Sequence, residues 1–325
     1  MQGLEQNCPL RRLKPHETTC WKGETGSLNG INGKTRVFCV LGHPVGHSLS
    51  PAMHNAALAQ LGWDGVYVAF DVLPEGLPDA VRGLQALGIA GVNCTIPHKE
   101  ALIPLMDELS EEAAFIGAVN TIVFRNGRRI GHNTDAPGFL SALRAAGAEP
   151  ENKQVLVLGA GGSARAVVVA LVGAGAQVTV ANRTLLRAEE LAAELNAKID
   201  ADCVRAAALN ETALAPIVAE ASIVVNTTSV GMSPGADAMP EVPLERMRPD
   251  AFVYDLIYNP LETRLLREAR RRGLRGANGA GMLALQGALA LELWTGECAP
   301  AELMEQVILD ALARRQKPAA QHGTK

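Results

Sequence analysis

Short apolar runs alternate with longer stretches of mixed polarity along most of this chain, beginning at Thr35. Val37 to Leu41 is apolar throughout and stops at Gly42, the pattern of a strand buried on both faces. Ser50-Pro51 opens a helical pattern to about Leu61, with Ser50 expected as N-cap and Pro51 as the first helical residue. Residues 66–70 predict a strand, 75–87 a helix, and 92–95 a third strand broken by Pro97. A helical region is expected over 98–115. Next comes a hairpin with arms 119–125 and 128–132 around Asn126-Gly127, a dipeptide suited to a tight turn. A helix over 135–146 leads to the break Gly147-Ala148-Glu149-Pro150, and a second series starts there. It predicts strands at 154–158, 177–181, 222–226 and 252–256, with helices at 162–173 and 185–195. Alternating strands and helices imply largely parallel sheets covered by helices. The expectation is α/β, in two units with a cleft between them.

Composition narrows this picture. A chain of 325 residues favours two medium domains over one. It is 48% hydrophobic but only 4% aromatic, and its small residues let helices lie close on a sheet. The net charge of −4 offers no basic excess for nucleic acid or an anionic membrane. The one basic run, Arg267 to Arg275, sits at a helix C-terminus, where cations suit the dipole. No apolar stretch reaches the roughly eighteen residues of a membrane span. Residues 1–33 lack the apolar core of a secretory signal and are expected to form a disordered leader on a cytoplasmic protein. Residues 315–325 are polar and expected to fray. The six cysteines, at 8, 20, 39, 94, 203 and 298, form no CxxC pair and no metal-like spacing. Cys39 and Cys94 are expected as small core residues in a reducing compartment, and no metal is expected.

Gly159-Ala160-Gly161-Gly162-Ser163-Ala164 follows a predicted strand and opens a predicted helix, the context that gives such a loop meaning. Gly159 permits the tight turn, Gly161 lets a pyrophosphate approach the backbone, and Ala164 keeps the helix near its strand. The phosphates would meet free N–H groups and the positive end of the helix dipole. A Rossmann-type dinucleotide domain is therefore expected. At the end of its second strand stands Asn182-Arg183-Thr184, with no acid for a ribose 2′-hydroxyl. Arg183 can make a forked contact with a 2′-phosphate, and Asn182 and Thr184 add neutral donors, so NADP is favoured.

Four polar clusters mark the first unit: Gly42 to Pro51, Val92 to Lys99, Gly117 to Thr121, and Gly131 to Asp135. They offer hydroxyls and amides for a polyhydroxylated ligand, together with a lysine and an aspartate able to act as an acid–base pair on a carbinol. Residue chemistry alone goes no further.

The ordered motifs HSLSPxxHN (47–55), NCTIPHK (93–99), GAVNT (117–121), GHNTD (131–135), GAGGSARA (159–166) and NRT (182–184) resemble those of the shikimate dehydrogenase family. Asn226 to Met232, Tyr258-Asn259-Pro260 and Gly279-Ala280-Gly281-Met282 with Gln286 extend the resemblance, which covers about Arg36 to Glu297. It implies reversible reduction of 3-dehydroshikimate to shikimate by NADPH, on the way to chorismate and aromatic amino acids. It implies Lys99 and Asp135 as the catalytic pair, Ser48 and Ser50 as donors to the substrate carboxylate, and Thr95, Asn120 and Gln286 at the ring hydroxyls. Tyr258 resembles a substrate-side residue, and Thr228, Leu256 and Gly279 resemble the lining of the nicotinamide half. The implied layout is an N-terminal substrate domain (34–134) with a mainly parallel sheet, an NADP domain (135–280), and C-terminal helices (281–325) returning to the first domain. The partner is the small-molecule substrate, with no nucleic acid or membrane, and the chain is a monomer or homodimer. A quinate/shikimate enzyme using NAD commonly carries an acid where Thr184 stands. A catalytically silent NADP(H) sensor would not need Lys99 and Asp135, and a tetrahydrofolate-type dehydrogenase leaves HSLSP unexplained.

Overall fold

The computed structural model describes residues 30–316, so most of the expected leader and C-terminal tail, with Cys8 and Cys20, lie outside the described residues. The first apolar run forms β1 (Arg36–Gly42), whose last five residues are buried. Helix α1 (Ser50–Gln60) returns the chain to β2 (Gly65–Asp71), and α2 (Leu77–Ala86) returns it to β3 (Gly91–Cys94). Both strands run parallel to β1, one on each side. Helix α1 starts one residue before the expected position. Leu49 stands at the N-cap, Ser50 is already helical, and the Ser50 N–H donates to Ser48 Oγ at 3.2 Å.

The segment 98–115 is not the helix its polarity suggests. Pro104 has no N–H to give a helical ladder, and the chain there makes only a 3₁₀ turn, Ile103–Leu105. It then forms a two-residue strand, β4 (Glu108–Leu109), and a short helix, α3 (Glu111–Ile116). Ser110 Oγ caps α3 by accepting the Ala113 N–H, and Gly117, at φ 73°, ends it in the left-handed region. The hairpin forms β5 (Thr121–Arg125) and β6 (Arg128–His132), with Asn126 and Gly127 both at positive φ. The sheet order is β2-β1-β3-β5-β6-β4, with β5 antiparallel to both its neighbours.

Helix α4 (Asp135–Ala145) crosses to the second sheet. Its elements are β7 (Gln154–Leu158), α5 (Gly162–Gly173), β8 (Gln177–Asn182), α6 (Leu185–Ile199), β9 (Val204–Ala208), α7 (Glu211–Glu220), β10 (Ile223–Asn226), β11 (Phe252–Asp255), α8 (Arg264–Arg271) and β12 (Arg275–Ala277). All pairs are parallel, in the order β12-β11-β10-β7-β8-β9. The chain therefore starts in the middle of the sheet, builds outward to β9, and then restarts at β10 beside β7. That reversal leaves a crevice beyond the carboxyl ends of β7 and β10, where doubly wound sheets bind nucleotides.

Helices α9 (Ala280–Thr295) and α10 (Ala301–Gln316) pack with α1, β1 and β2 in one core that includes Met53, Leu58, Leu291, Met304 and Ile308. Between the two sheets lie α4 and α9. Phe139 of α4 meets Tyr254 of β11 edge-on at 5.3 Å, and Gly138 of α4 faces the backbone of Gln286. A second tie joins the units at the surface: Arg165 of α5 pairs with Glu194 of α6 at 2.8 Å and donates to the Ile116 carbonyl at the end of α3 at 3.3 Å.

A Cβ on Gly138 would lie 2.8 Å from the Gln286 backbone nitrogen. The helix-propensity gain of a non-glycine residue, under about 1 kcal/mol, is smaller than the overpacking cost. Gly138→Val is expected to lower unfolding stability by about 2 kcal/mol or more, read as a lower urea midpoint at unchanged slope.

Candidate active site

The topology gathers the polar clusters at one end of the first sheet. The 43–50 loop leaves β1, the 95–99 loop leaves the adjacent parallel β3, and Asn133 to Asp135 leave β6. Because β5 is antiparallel, Asn120 enters it at that same end. Thr95 is half-buried beside Gly42, where its methyl fills the space a Cβ there would need. Ser50 is buried and Ser48 half-buried. The loop carrying both is held from the far end of the chain, since Arg315 donates to the His47 carbonyl at 3.2 Å.

Lys99 and Asp135 meet, with Nζ 2.7 Å from Oδ2, and the two residues are only 9% and 4% exposed. The Lys99 backbone is fixed where its carbonyl accepts the Val119 N–H at 2.8 Å. Beside it, the His98 ring holds the Val72 carbonyl at 2.7 Å. Asp135 opens α4, where the dipole favours a carboxylate. It does not cap that helix. Asn133 Oδ1 accepts the N–H groups of Asp135 and Ala136 at 3.0 and 3.3 Å, which leaves the Asp135 carboxylate for Lys99. A second Lys99 hydrogen bond goes to Ser163 Oγ in the glycine loop at 3.0 Å. The loop reaches that close because Gly162 has no side chain; a Cβ there would sit 3.0 Å from Lys99 Cβ.

Asn120 is the centre of a buried polar net. Its Oδ1 accepts the Thr134 N–H at 2.8 Å, and its Nδ2 donates to Thr134 Oγ1 at 2.9 Å and to Gln286 Oε1 at 3.4 Å. Gln286 is oriented by donating to the Leu283 carbonyl at 2.7 Å. Asn93, which sequence reasoning missed, extends the net: Tyr67 OH donates to its Oδ1 at 2.8 Å, and its Nδ2 donates to Thr121 Oγ1 at 3.0 Å. In the sequence it appears only as the first residue of the NCTIPHK motif, with no role assigned to it. Tyr67 also stacks on His54 at 4.1 Å; burial lowers the His54 pKa to about 4, so the ring is neutral near pH 7. Tyr258 packs on this same core, and burial raises its phenol pKa, with Arg315 and the Leu49 backbone acting the other way.

The second sheet presents the other wall. Gly159, at φ 107°, turns tightly against Thr227 and Thr228, and a Cβ there would lie 2.6 Å from Thr227 Oγ1. Gly161 faces open space, with nothing within 4 Å of its missing Cβ, while Ala160 and Ala164 are buried. Thr228 is fixed by donating from its N–H (3.0 Å) and Oγ1 (2.7 Å) to Asn226 Oδ1. Gly279 lies flat on the Leu256 carbonyl. The Asn182 amide donates to the Thr184 carbonyl at 2.9 Å, which shapes the loop. Arg183, Thr184 and Arg187 are exposed. Arg187 adds a second cation on α6 that sequence reasoning did not single out. Among the described residues no group of three His, Cys, Asp or Glu side chains could hold a metal, and no helix is long and apolar enough to cross a membrane.

These features define a two-unit α/β protein whose glycine-rich nucleotide loop touches a buried lysine–aspartate pair. Residues 40–122 match the shikimate dehydrogenase substrate binding domain, 142–253 the shikimate/quinate 5-dehydrogenase family, and 279–309 the shikimate 5′-dehydrogenase C-terminal domain. A shikimate dehydrogenase (NADP⁺) of Methanopyrus kandleri is 50% identical over 284 residues, covering 87% of this chain and 98% of that protein. A crystal structure of shikimate dehydrogenase in complex with NADP⁺ superposes with a TM-score of 0.82 at 43% identity, covering 89% of this chain and 99% of the other. The Thermus thermophilus enzyme, in complex with NADP(H) and shikimate, gives 0.76 at 45% identity, covering 85% and 100%. The chain belongs to the shikimate dehydrogenase family.

The cap and the buried histidine can each be tested. Asn133→Ala removes the side-chain acceptor of the first two α4 N–H groups and should cost about 1 kcal/mol of stability in denaturant unfolding. His54, near 4 when folded and 6.5 when free, binds its proton more tightly in the unfolded chain. Its contribution is therefore complete above pH 6.5 and lost as pH falls towards 4, about 3 kcal/mol in all. His54→Gln should flatten that acid limb; an unchanged limb would show that His54 does not set it.

Proposed function

We propose that the protein is an NADP-dependent shikimate dehydrogenase, catalysing reversible reduction of 3-dehydroshikimate to shikimate on the route to chorismate and the aromatic amino acids. The observation that carries this reading is the position of Lys99, held at once by Asp135 and by Ser163 of the glycine loop. The acid–base group and the nucleotide loop thus form one unit.

The residues fit a dinucleotide. The N-terminus of α5 opens at the switch point of a parallel sheet, and Gly161 borders unfilled space where phosphates can approach N–H groups. Arg183 and Arg187, both exposed near the end of β8, supply the positive charge that a 2′-phosphate requires and a 2′-hydroxyl does not. When bound, NADPH supplies the hydride for the substrate C3.

Lys99 does the protein's share of the chemistry. An ammonium has three N–H donors. Asp135 and Ser163 take two, and the third is left for the substrate oxygen. As hydride reaches the carbonyl carbon, that N–H stabilises the developing alkoxide and then protonates it. In the oxidising direction the lysine receives the hydroxyl proton. Asp135 orients Lys99 and hydrogen-bonds the substrate. Ser48 and Ser50 suit the substrate carboxylate, and Thr95, Asn120, Gln286 and Tyr258 suit the remainder of the ring. Thr228, Leu256 and Gly279 would line the nicotinamide half.

This reading treats residues 34–134 together with 281–325 as the substrate domain and 135–280 as the NADP domain. It places a monomer or homodimer in the cytoplasm, with the small-molecule substrate as its partner. The anionic net charge supports the absence of a nucleic-acid role.

The assay is nicotinamide absorbance with shikimate or quinate and with NADP⁺ or NAD⁺. Shikimate with NADP⁺ should turn over fastest; faster turnover of quinate with NAD⁺ would overturn the assignment. Lys99→Ala should lower kcat by about three orders of magnitude while NADPH still binds in a fluorescence titration. Arg183→Ala should raise the KM for NADPH by about 10- to 100-fold with little change for NADH.

A further inference from the structure

At the carboxyl end of β11, Asp255 is fully buried, as are its neighbours Asn226 and Thr263. Its Oδ1 accepts from Asn226 Nδ2 at 2.9 Å and from the Ile257 N–H at 3.1 Å, and its Oδ2 accepts from Thr263 Oγ1 at 2.7 Å. Among the described residues no cation pairs with it, and burial raises its pKa to about 6. A carboxyl buried without a counter-charge is costly, and an apolar side chain could fill the same volume. Its three donors come from three separate pieces of backbone. Asn226 fixes Thr228 through two hydrogen bonds to its other face. Ile257 adjoins Leu256, and its carbonyl accepts the Gly279 N–H at 3.1 Å. Thr263 caps α8 by accepting the Leu266 N–H at 3.3 Å and closes the 256–263 loop.

We propose that Asp255 is a positioning residue for the cofactor: its carboxyl gathers the segments carrying Thr228, Leu256 and Gly279 into one rigid wall for the nicotinamide half of NADP(H). The inference rests on the proposed placement of the nicotinamide at those residues. Asp255 does not touch the cofactor. It acts through the backbone it fixes, so its loss should be felt far more in dinucleotide binding than in binding of the carbocyclic substrate, which meets the 256–263 loop only through Tyr258 and otherwise lies at residues of the first unit and α9.

The test measures binding of NADPH alone and of shikimate alone, by titration of folded wild type, Asp255→Ala and Asp255→Asn, with thermal unfolding to show that each is native. Asparagine keeps an oxygen for Asn226 and Ile257, and its amide can donate to Thr263 Oγ1. Alanine should weaken NADPH binding about tenfold or more while shikimate binding stays within about twofold, and asparagine should restore NADPH binding to within about threefold of wild type. The proposal is overturned if folded Asp255→Ala binds NADPH normally, if both ligands weaken equally, or if asparagine is as poor as alanine. Should the alanine variant fail to fold, Thr263→Val removes one donor at similar volume and must show the same selective loss in smaller measure; no selective loss overturns the proposal. Wild type that binds no NADPH would instead defeat the functional reading itself, and would be seen before any variant is made.

Discussion

A buried hydrogen-bonded charge pair governs the design of this protein. Lys99 and Asp135 sit in an environment where either one alone would leave an uncompensated charge, at a cost of about 3–5 kcal/mol. Their partnership is tolerable only because every other polar demand nearby is met. Asn133 accepts the first N–H groups of α4, Val119 fixes the lysine backbone, and Ser163 accepts a hydrogen bond from a second ammonium N–H. The pair joins the two units chemically, because its lysine comes from the first sheet and the serine that steadies it comes from the second. Removing the glycine loop from Lys99 would therefore alter the proposed acid–base group as well as the proposed nucleotide site.

The packing between the sheets serves the same end. Helix α4 begins with Asp135 and, one turn later, presses Gly138 onto Gln286 of α9. Helix α9 in turn joins the Gly279 wall to the core of the first sheet through Leu291. Gly138 brings the backbones of α4 and α9 close enough for the polar net around Asn120 and Gln286 to close. A larger side chain at Gly138 would push α4 away from Gln286 and open that net.

Much of this is legible in the sequence, and the gaps have physical causes. The glycine loop, the hairpin turn and the strand-end motifs announce themselves because few residues tolerate those backbone shapes or carry those donors. The 98–115 segment misleads because its polarity is helical in period while Pro104 and Ser110 decide the backbone. Strand β9 and helix α7 leave little trace: Val204-Arg205-Ala206-Ala207-Ala208 has the composition of a helix, and Pro216 interrupts α7. Neighbouring backbone, more than the residues themselves, decides those elements. The site is readable by residue type but not by partnership. In the sequence Asp135 could equally cap its helix, and only the structure shows the first N–H groups of α4 taken by Asn133, the residue before the Thr134 cap. Ser163 reads as part of a phosphate loop, and only the structure shows its hydroxyl on Lys99. Asp255 gives no signal, since an aspartate ending an apolar strand resembles any other strand end.

Helix α9 has one more consequence. Gly279 stands at its N-cap and Gln286 lies inside the same unbroken helix, so the two are spaced by a fixed rise of about 1.5 Å per residue. The helix is thereby a ruler, which sets how far the proposed nicotinamide wall at Gly279 stands from Gln286 in the polar net of the first unit. Exchanging a side chain along it alters the fit at one point. Adding or deleting a single residue between 279 and 286 would rotate Gln286 by about 100° and carry its amide away from Asn120 altogether. The length of this stretch is thus under tighter constraint than its composition, and variation in the protein should enter there by substitution and not by insertion.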